Sequence, residues 1–295
     1  LSGSYLGFEG SASGSTSRKV NQTTITAHFV ERMFTVTVER PTGGFFSEAF
    51  TNEVLDGYIA DGVIGPDNLP VYVSEVVMGK NGSIDSKIIE SVVDYLKKNV
   101  KGVIIIKSTV TPQVLKKLIK GPAADRIVYN PEFLTEKSAN EDFVNPFMHV
   151  LGGNHESTRK VEELYKFFSL CKPCPTYHMS IIDASFVKYG INCYLATKVL
   201  WFNQFHDIVI ENGGNFGKVI SAVTHDDRVG RSHTTVPGFD GKRGFGGACF
   251  PKDTSAFLNM AKSFSVLSEV IKVNNEYRKD YEKDSREREQ NIHYD

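Results

Sequence analysis

Runs of eighteen apolar residues are missing from this chain, and without one there is no candidate membrane helix. The start is rich in Ser and Gly and has no basic segment leading into an apolar one, so no secretory leader is expected. An excess of either charge is also missing: 34 Lys and Arg stand against 35 Asp and Glu, for a formal net charge of −1. That balance argues against a nucleic-acid-binding surface. Cysteine is scarce, and Cys171, Cys174, Cys193 and Cys249 are too scattered for a disulfide framework. Cys171-Lys-Pro-Cys174 has C-x-x-C spacing, but no second ligand pair accompanies it, so no metal is expected. These absences together lead us to expect a soluble, cytoplasmic protein with no membrane or nucleic-acid partner.

At 295 residues the chain is long enough for two domains. Residues 1–150 alternate between strand and helix patterns, which predicts a parallel, doubly wound α/β sheet in a first domain taken as residues 1–180. Ile88, Ile89, Val92, Val93 and Leu96 form an apolar helical face behind a capping Ser83, and Lys97-Lys-Asn99 closes the last turn. Val103–Ile106 is a continuous apolar run, as in a strand buried on both faces. Thr111-Pro112 then opens a helix that Gly121 stops. Ile127–Tyr129 and His149–Leu151 read as two more short strands, the second ended by Gly152-Gly153.

Near the start, Leu6–Gly14 has the outline of the dinucleotide fingerprint G-x-G-x-x-G, with Gly7 and Gly10 as its second and third glycines and Tyr5 in place of the first. Glu31 stands at about the distance at which an acidic residue binds the adenosine ribose, with Glu39 as its competitor. Residues 181–295 read as all-helical. Apolar residues recur at helical spacing from Ile181 to Glu211, predicting a helix of about 45 Å. Trp201 and the phenylalanines around it favour a homodimer core. A second helix is expected over about 253–280, and the charged run Arg278–Asp295 reads as a solvated or frayed tail.

The chemistry is expected at Gly244–Asp253, where Cys249 follows a glycine hinge and precedes a predicted helix start, with Lys252 three residues on. Reactive thiols occupy electropositive settings of this kind. Four other segments carry polar residues that the surrounding pattern does not require. Lys107-Ser-Thr-Val110 ends a buried strand, at the edge where open α/β sheets bind ligands. Asn130-Pro-Glu-Phe-Leu-Thr-Glu136 also follows a strand. Lys188 and Asn192 share a helix face four residues apart, and Asp227-Arg228 offers a guanidinium for a phosphate or for sugar hydroxyls.

These five segments, in this order, resemble the UDP-glucose dehydrogenase family, whose members also oxidise GDP-mannose and UDP-N-acetylmannosamine. The resemblance covers about 80–280 well and 1–80 poorly. It implies an NAD-binding Rossmann-like domain followed by a helical central dimerisation domain, without the C-terminal UDP-binding domain. Residue by residue, Cys249 resembles the nucleophile, Lys188 and Asn192 the holders of the substrate oxygen, and Asp253 the aspartate that supports lysine and water. Glu132 resembles the acid/base, Thr109 the water-positioning threonine, and Arg228 the arginine that reaches a partner's substrate. The loops imply substrate contacts at Phe133, Leu134, Phe245 and Gly246. Cofactor contacts are implied at Gly7, Gly10, Glu31, Ser108, Thr109, Glu136 and Lys252. The expected activity is oxidation of a nucleotide sugar, foremost UDP-glucose, at C6 to the uronic acid through a thiohemiacetal and thioester on Cys249. Two rivals are an aldehyde dehydrogenase with the same thiol, and a non-catalytic dimeric binding protein.

Overall fold

The computed structural model describes residues 2–5, 8–11, 71–73, 86–135 and 138–294. The chain divides into two compact units, the first including Val92–Ser108 and Ile119–Ile181, the second Thr109–Leu118 and Ile182–Asp295.

At the start, β1 (Ser2–Tyr5) and β2 (Phe8–Ser11) pair antiparallel. Gly10, expected as the third glycine of the fingerprint, lies inside a strand opposite Gly3 instead of opening a helix. Gly7 and Glu31 lie outside the described residues.

The first unit is built on a five-stranded sheet in the order β3 (Val71–Val73), β4 (Ile104–Ile106), β5 (Ile127–Tyr129), β6 (His149–Gly153) and β7 (Thr176–Met179). β3, β4 and β5 run parallel, as the alternating pattern leads one to expect, and so do β6 and β7. Between β5 and β6 the sheet turns antiparallel, so it is mixed and not wholly parallel. Gly152 and Gly153 continue β6 where the sequence suggested its end, paired with Tyr129 and Val128. A Cβ on Gly153 would come within 2.7 Å of the Ile127 carbonyl oxygen, so only glycine fits this crossing.

Before β4 stands α1 (Ser86–Asn99), and Arg126 donates to the Lys97 carbonyl in its last turn and to those of Val100 and Gly102 just beyond it. α2 (Pro112–Leu118) opens with proline in its first turn, and α3 (Ala139–Val144) is a short helix before β6. α4 (His155–Phe168) is capped by the Asn154 side chain, which accepts from the Glu156 N–H. Its Val161 and Tyr165 pack with Ile105, Val128 and Leu151 from three neighbouring strands to form a dry cluster. Each such side chain contributes roughly 1.5–3 kcal/mol by leaving water.

The second unit is helical. α5 (Ile181–Glu211) is followed by α6 (Phe216–Val223), α7 (Phe250–Met260), α8 (Ser265–Arg278) and α9 (Ser285–Glu289). The single helix expected over 253–280 is thus two helices, broken at Ala261–Phe264. Ala196, Leu200 and Phe245 form its core with Val199, Phe250, Val270, Val273 and Tyr277 around them. Outside that core α5 leaves Phe186, Tyr194, Trp201 and Ile208 exposed.

The tail after Arg278, expected to be solvated, is folded. Arg278 is 1% exposed, and Glu287, Ile292 and Tyr294 are buried with it. Arg278 donates to Asp240 at 2.7 Å and to Glu287 at 2.9 Å, and Asp284 and Glu287 form a capping box that starts α9. The segment packs through ion pairs instead of an apolar stripe, and hydrophobic periodicity does not register that kind of burial.

Candidate active site

In the helical unit the site grows from the meeting of α5 and α7. Pro251 in the first turn of α7 fixes the helix start, and Cys249 is its N-cap. The Cys249 thiol is exposed at the positive end of the helix dipole. One turn further in, Asp253 is completely buried and accepts two short bonds. Asn192 Nδ2 donates to its Oδ2 at 2.5 Å, and Lys252 Nζ donates to its Oδ1 at 2.5 Å. Lys188 lies one turn before Asn192 on α5, also buried. A buried carboxylate is tolerated only when paired, and here an ammonium and an amide occupy one oxygen each.

A second thiol, Cys193, adjoins Asn192. Burial, and then the charge of Asp253, push that thiol up to about 12, which keeps it protonated and inert. The exposed sulfur at the helix start is the reactive candidate of the two.

The glycine loop is held from behind. Asn274 accepts from the Phe245 N–H at 2.7 Å and donates to the Phe245 carbonyl at 3.0 Å. Asn203 accepts from the Gly244 N–H at 3.1 Å, and Glu287 from that of Gly247 at 3.1 Å. A Cβ at Gly246 would lie 1.9 Å from an Arg278 guanidinium nitrogen, so any side chain there would have to displace the buried Arg278–Glu287 pair. Phe245, expected to touch substrate, has its ring in the Ala196–Leu200 core. Arg228 is exposed and forms a two-pronged pair with Asp226, at 3.0 and 2.6 Å.

In the sheet unit a buried network sits at the carboxyl end of β4. Lys107 Nζ lies 2.6 Å from Glu132 Oε1, 2.7 Å from Tyr165 Oη and 2.9 Å from Asn130 Oδ1. Burial alone would lower the pKa of this lysine, but Glu132 and then Tyr165 reverse the effect and raise it. Ser108, next in sequence, is buried, and Thr109, which belongs to the second unit, is half-buried. Phe133 packs against Phe147 at 5.7 Å between ring centroids, and Leu134 follows, half-buried.

The structure brings Asn192 and Asp253 together, and adds Lys252, which was expected at the cofactor but directs its ammonium to Asp253. Glu136 lies outside the described residues. Lys107, Asn130 and Tyr165 were not singled out as a group. A lysine directly after three strand isoleucines was the available signal, since a buried cation needs partners. No group of metal-ligating side chains occurs among the described residues, and none of their helices is long and apolar enough to cross a membrane.

Relatives point the same way. The UDP-glucose 6-dehydrogenase TuaD of Bacillus subtilis is 32% identical over 244 residues, 78% of this chain and 50% of that protein. A second Bacillus subtilis UDP-glucose 6-dehydrogenase, YwqF, is 34% identical over 205 residues, covering 63% and 44%. The chain thus spans about half the length of the curated relatives it matches. Among solved structures, a UDP-glucose dehydrogenase from Pyrobaculum islandicum superposes with a TM-score of 0.63 at 25% identity, covering 84% of this chain and 61% of that one. The fold is shared also by a UDP-D-ManNAc dehydrogenase from Pyrococcus horikoshii, with a TM-score of 0.60 at 20% identity over 74% of this chain and 52% of that one. Residues 76–169 match the NAD-binding domain, and residues 183–276 the central domain, of the UDP-glucose/GDP-mannose dehydrogenase family. With the two matches covering more than half its length, the chain belongs to the UDP-glucose/GDP-mannose dehydrogenase family.

Proposed function

We propose that this chain carries the oxidation chemistry of an NAD-dependent nucleotide-sugar 6-dehydrogenase, with UDP-glucose as the foremost substrate and GDP-mannose and UDP-N-acetylmannosamine as the alternatives. The observation that carries this reading is the exposed Cys249 thiol at the start of a helix whose first turn holds Asp253 bonded to Asn192 and Lys252.

The described residues that fit NAD are Ser108 and Thr109, hydroxyl side chains ending a parallel strand at the edge where dinucleotides lie in open α/β sheets. When bound, NAD supplies the hydride acceptor for both oxidations. Lys188 and Asn192 stabilise negative charge on the C6 oxygen, first as alkoxide and then as the thiohemiacetal oxyanion, from buried positions where donors are more effective than in water. Asp253 holds the Asn192 amide in place, because its carboxylate accepts from it directly. Cys249 Sγ releases its proton to solvent and bonds to C6 of the aldehyde as the carbonyl pair moves onto oxygen, and loss of the remaining C6 hydride in the second oxidation leaves a thioester. Glu132 accepts a proton from water as it adds to C6, the C–S bond breaks, and the thiol and a carboxylate are released.

The exposed stripe on α5 supports a homodimer. Tyr194, Trp201 and Ile208 are spaced by seven residues, the repeat of a helix-pairing seam. The enzyme is expected to be cytoplasmic. Mixing the protein with NAD and each nucleotide sugar, and following NADH absorbance, tests the reading. Absence of NADH with all three would refute it.

A further inference from the structure

Lys107 directly follows the isoleucine strand β4 and places an ammonium where the pattern calls for another apolar residue. It is 7% exposed, and all three of its N–H donors have an oxygen within reach: Glu132 Oε1, Tyr165 Oη and Asn130 Oδ1. Two of those partners are anchored in the fold. Asn130 donates its amide to the Val150 carbonyl at 3.0 Å and its backbone N–H to Ile106 at 2.8 Å. Tyr165 donates its hydroxyl to Asn130 Oδ1 at 2.6 Å and stacks on His149 at 4.2 Å. The third partner differs, because the Glu132 side chain is 33% exposed and follows its strand on irregular backbone.

We propose that Lys107 is the positioning residue of Glu132, holding one carboxylate oxygen on a fixed cation so that the group is aimed for its proton transfer. The inference rests on Glu132 being the proton acceptor in thioester hydrolysis. Asn130 and Tyr165 fix the ammonium, and the ammonium fixes the carboxylate. A purely stabilising ion pair has no need of this arrangement. A buried pair replaced by apolar residues is often no less stable, and a pair built for burial would not leave its acid one-third in solvent.

The role has a kinetic signature that structural damage does not share. If Lys107 acts only through Glu132, both oxidations proceed without it and only hydrolysis slows. Rapid mixing of the full chain with NAD and the nucleotide sugar it oxidises should give, for Lys107→Met and for Glu132→Gln alike, an undiminished burst of two NADH per site. The steady rate that follows should be on the order of a hundredfold slower than in the wild type. Quenched samples should carry an acyl adduct on the Cys249 peptide by mass spectrometry. The double variant should be no slower than Glu132→Gln alone, since the two residues act as one unit. Lys107→Gln, which keeps hydrogen bonds to Asn130 and Tyr165 but drops the charge, should behave as Lys107→Met and replaces it if that protein does not fold. A steady rate within about twofold of wild type, a diminished burst in both Lys107 variants, or additive slowing in the double variant would overturn the role of Lys107 alone. A wild type that forms no NADH would overturn the proposed function, and this role with it.

Discussion

Asn192 and Asp253 are sixty-one residues apart and are joined by a 2.5 Å bond from the amide to the buried carboxylate. With Lys252 on the other oxygen, the carboxylate fixes the donor that the mechanism aims at the substrate oxygen. α5 and α7 are thus tied together at the point where the chemistry is placed.

Removing that carboxylate should cost both stability and turnover. Asp253→Ala leaves Lys252 buried without its counter-ion and Asn192 without its acceptor, so the protein should lose about 3–5 kcal/mol of unfolding free energy. Urea denaturation of the two proteins measures this. A loss under about 1 kcal/mol would show that the pair is not the tie described.

The folded tail gives a second expectation. Glu287→Ala removes a carboxylate that accepts from Arg278 at 2.9 Å, from Tyr294 at 2.6 Å and from the Gly247 N–H at 3.1 Å. Arg278 keeps Asp240, so the loss should be about 2–4 kcal/mol, read as a lower denaturation midpoint. A variant as stable as the wild type would restore the solvated-tail reading.

That tail also marks where the sequence is legible. Strands β4, β5 and β6 and helix α5 could be read because apolar runs and helical spacing report apolar burial directly. The candidate nucleophile could be read because a glycine hinge, a thiol and a proline leave few local structures open. Burial of Arg278 and Glu287 was hidden, since charged residues look solvated until their partners are placed. The antiparallel crossing of β5 and β6 was hidden as well, because buried strands look alike in either direction. The Lys107 network joins residues up to fifty-eight positions apart, and only the fold brings them together.

Stability should depend on pH through His149. Its pKa is lowered from the ordinary imidazole value of 6.5 to about 4, first by burial and then by the Lys107 charge. The sign follows: between pH 6.5 and 4 the unfolded chain takes up a proton that the folded chain refuses, so stability falls as pH falls through this window. The loss is at most about 1.4 kcal/mol per pH unit. His149→Phe, which keeps a ring beside Tyr165, should be less acid-sensitive than the wild type across this range. Equal loss in both proteins between pH 7 and 4.5 would remove His149 as the cause.

The exposed seam on α5 gives a test of assembly. Trp201 is 54% exposed and stacks on Phe205 at 4.8 Å. Trp201→Arg should convert a dimer into a monomer by light scattering at micromolar concentration, because a charge at the centre of an apolar interface is costly to desolvate. A wild type that is already monomeric would contradict the proposed seam.

The most direct test of the central claim is NADH formation from UDP-glucose by the wild type and by Cys249→Ser, with the quenched protein examined by mass. The account expects two NADH per uronic acid from the wild type. It expects multiple turnover to be lost in the serine variant, since a hydroxyl is a far weaker nucleophile than a thiol at neutral pH. Undiminished turnover to the acid by Cys249→Ser would contradict it.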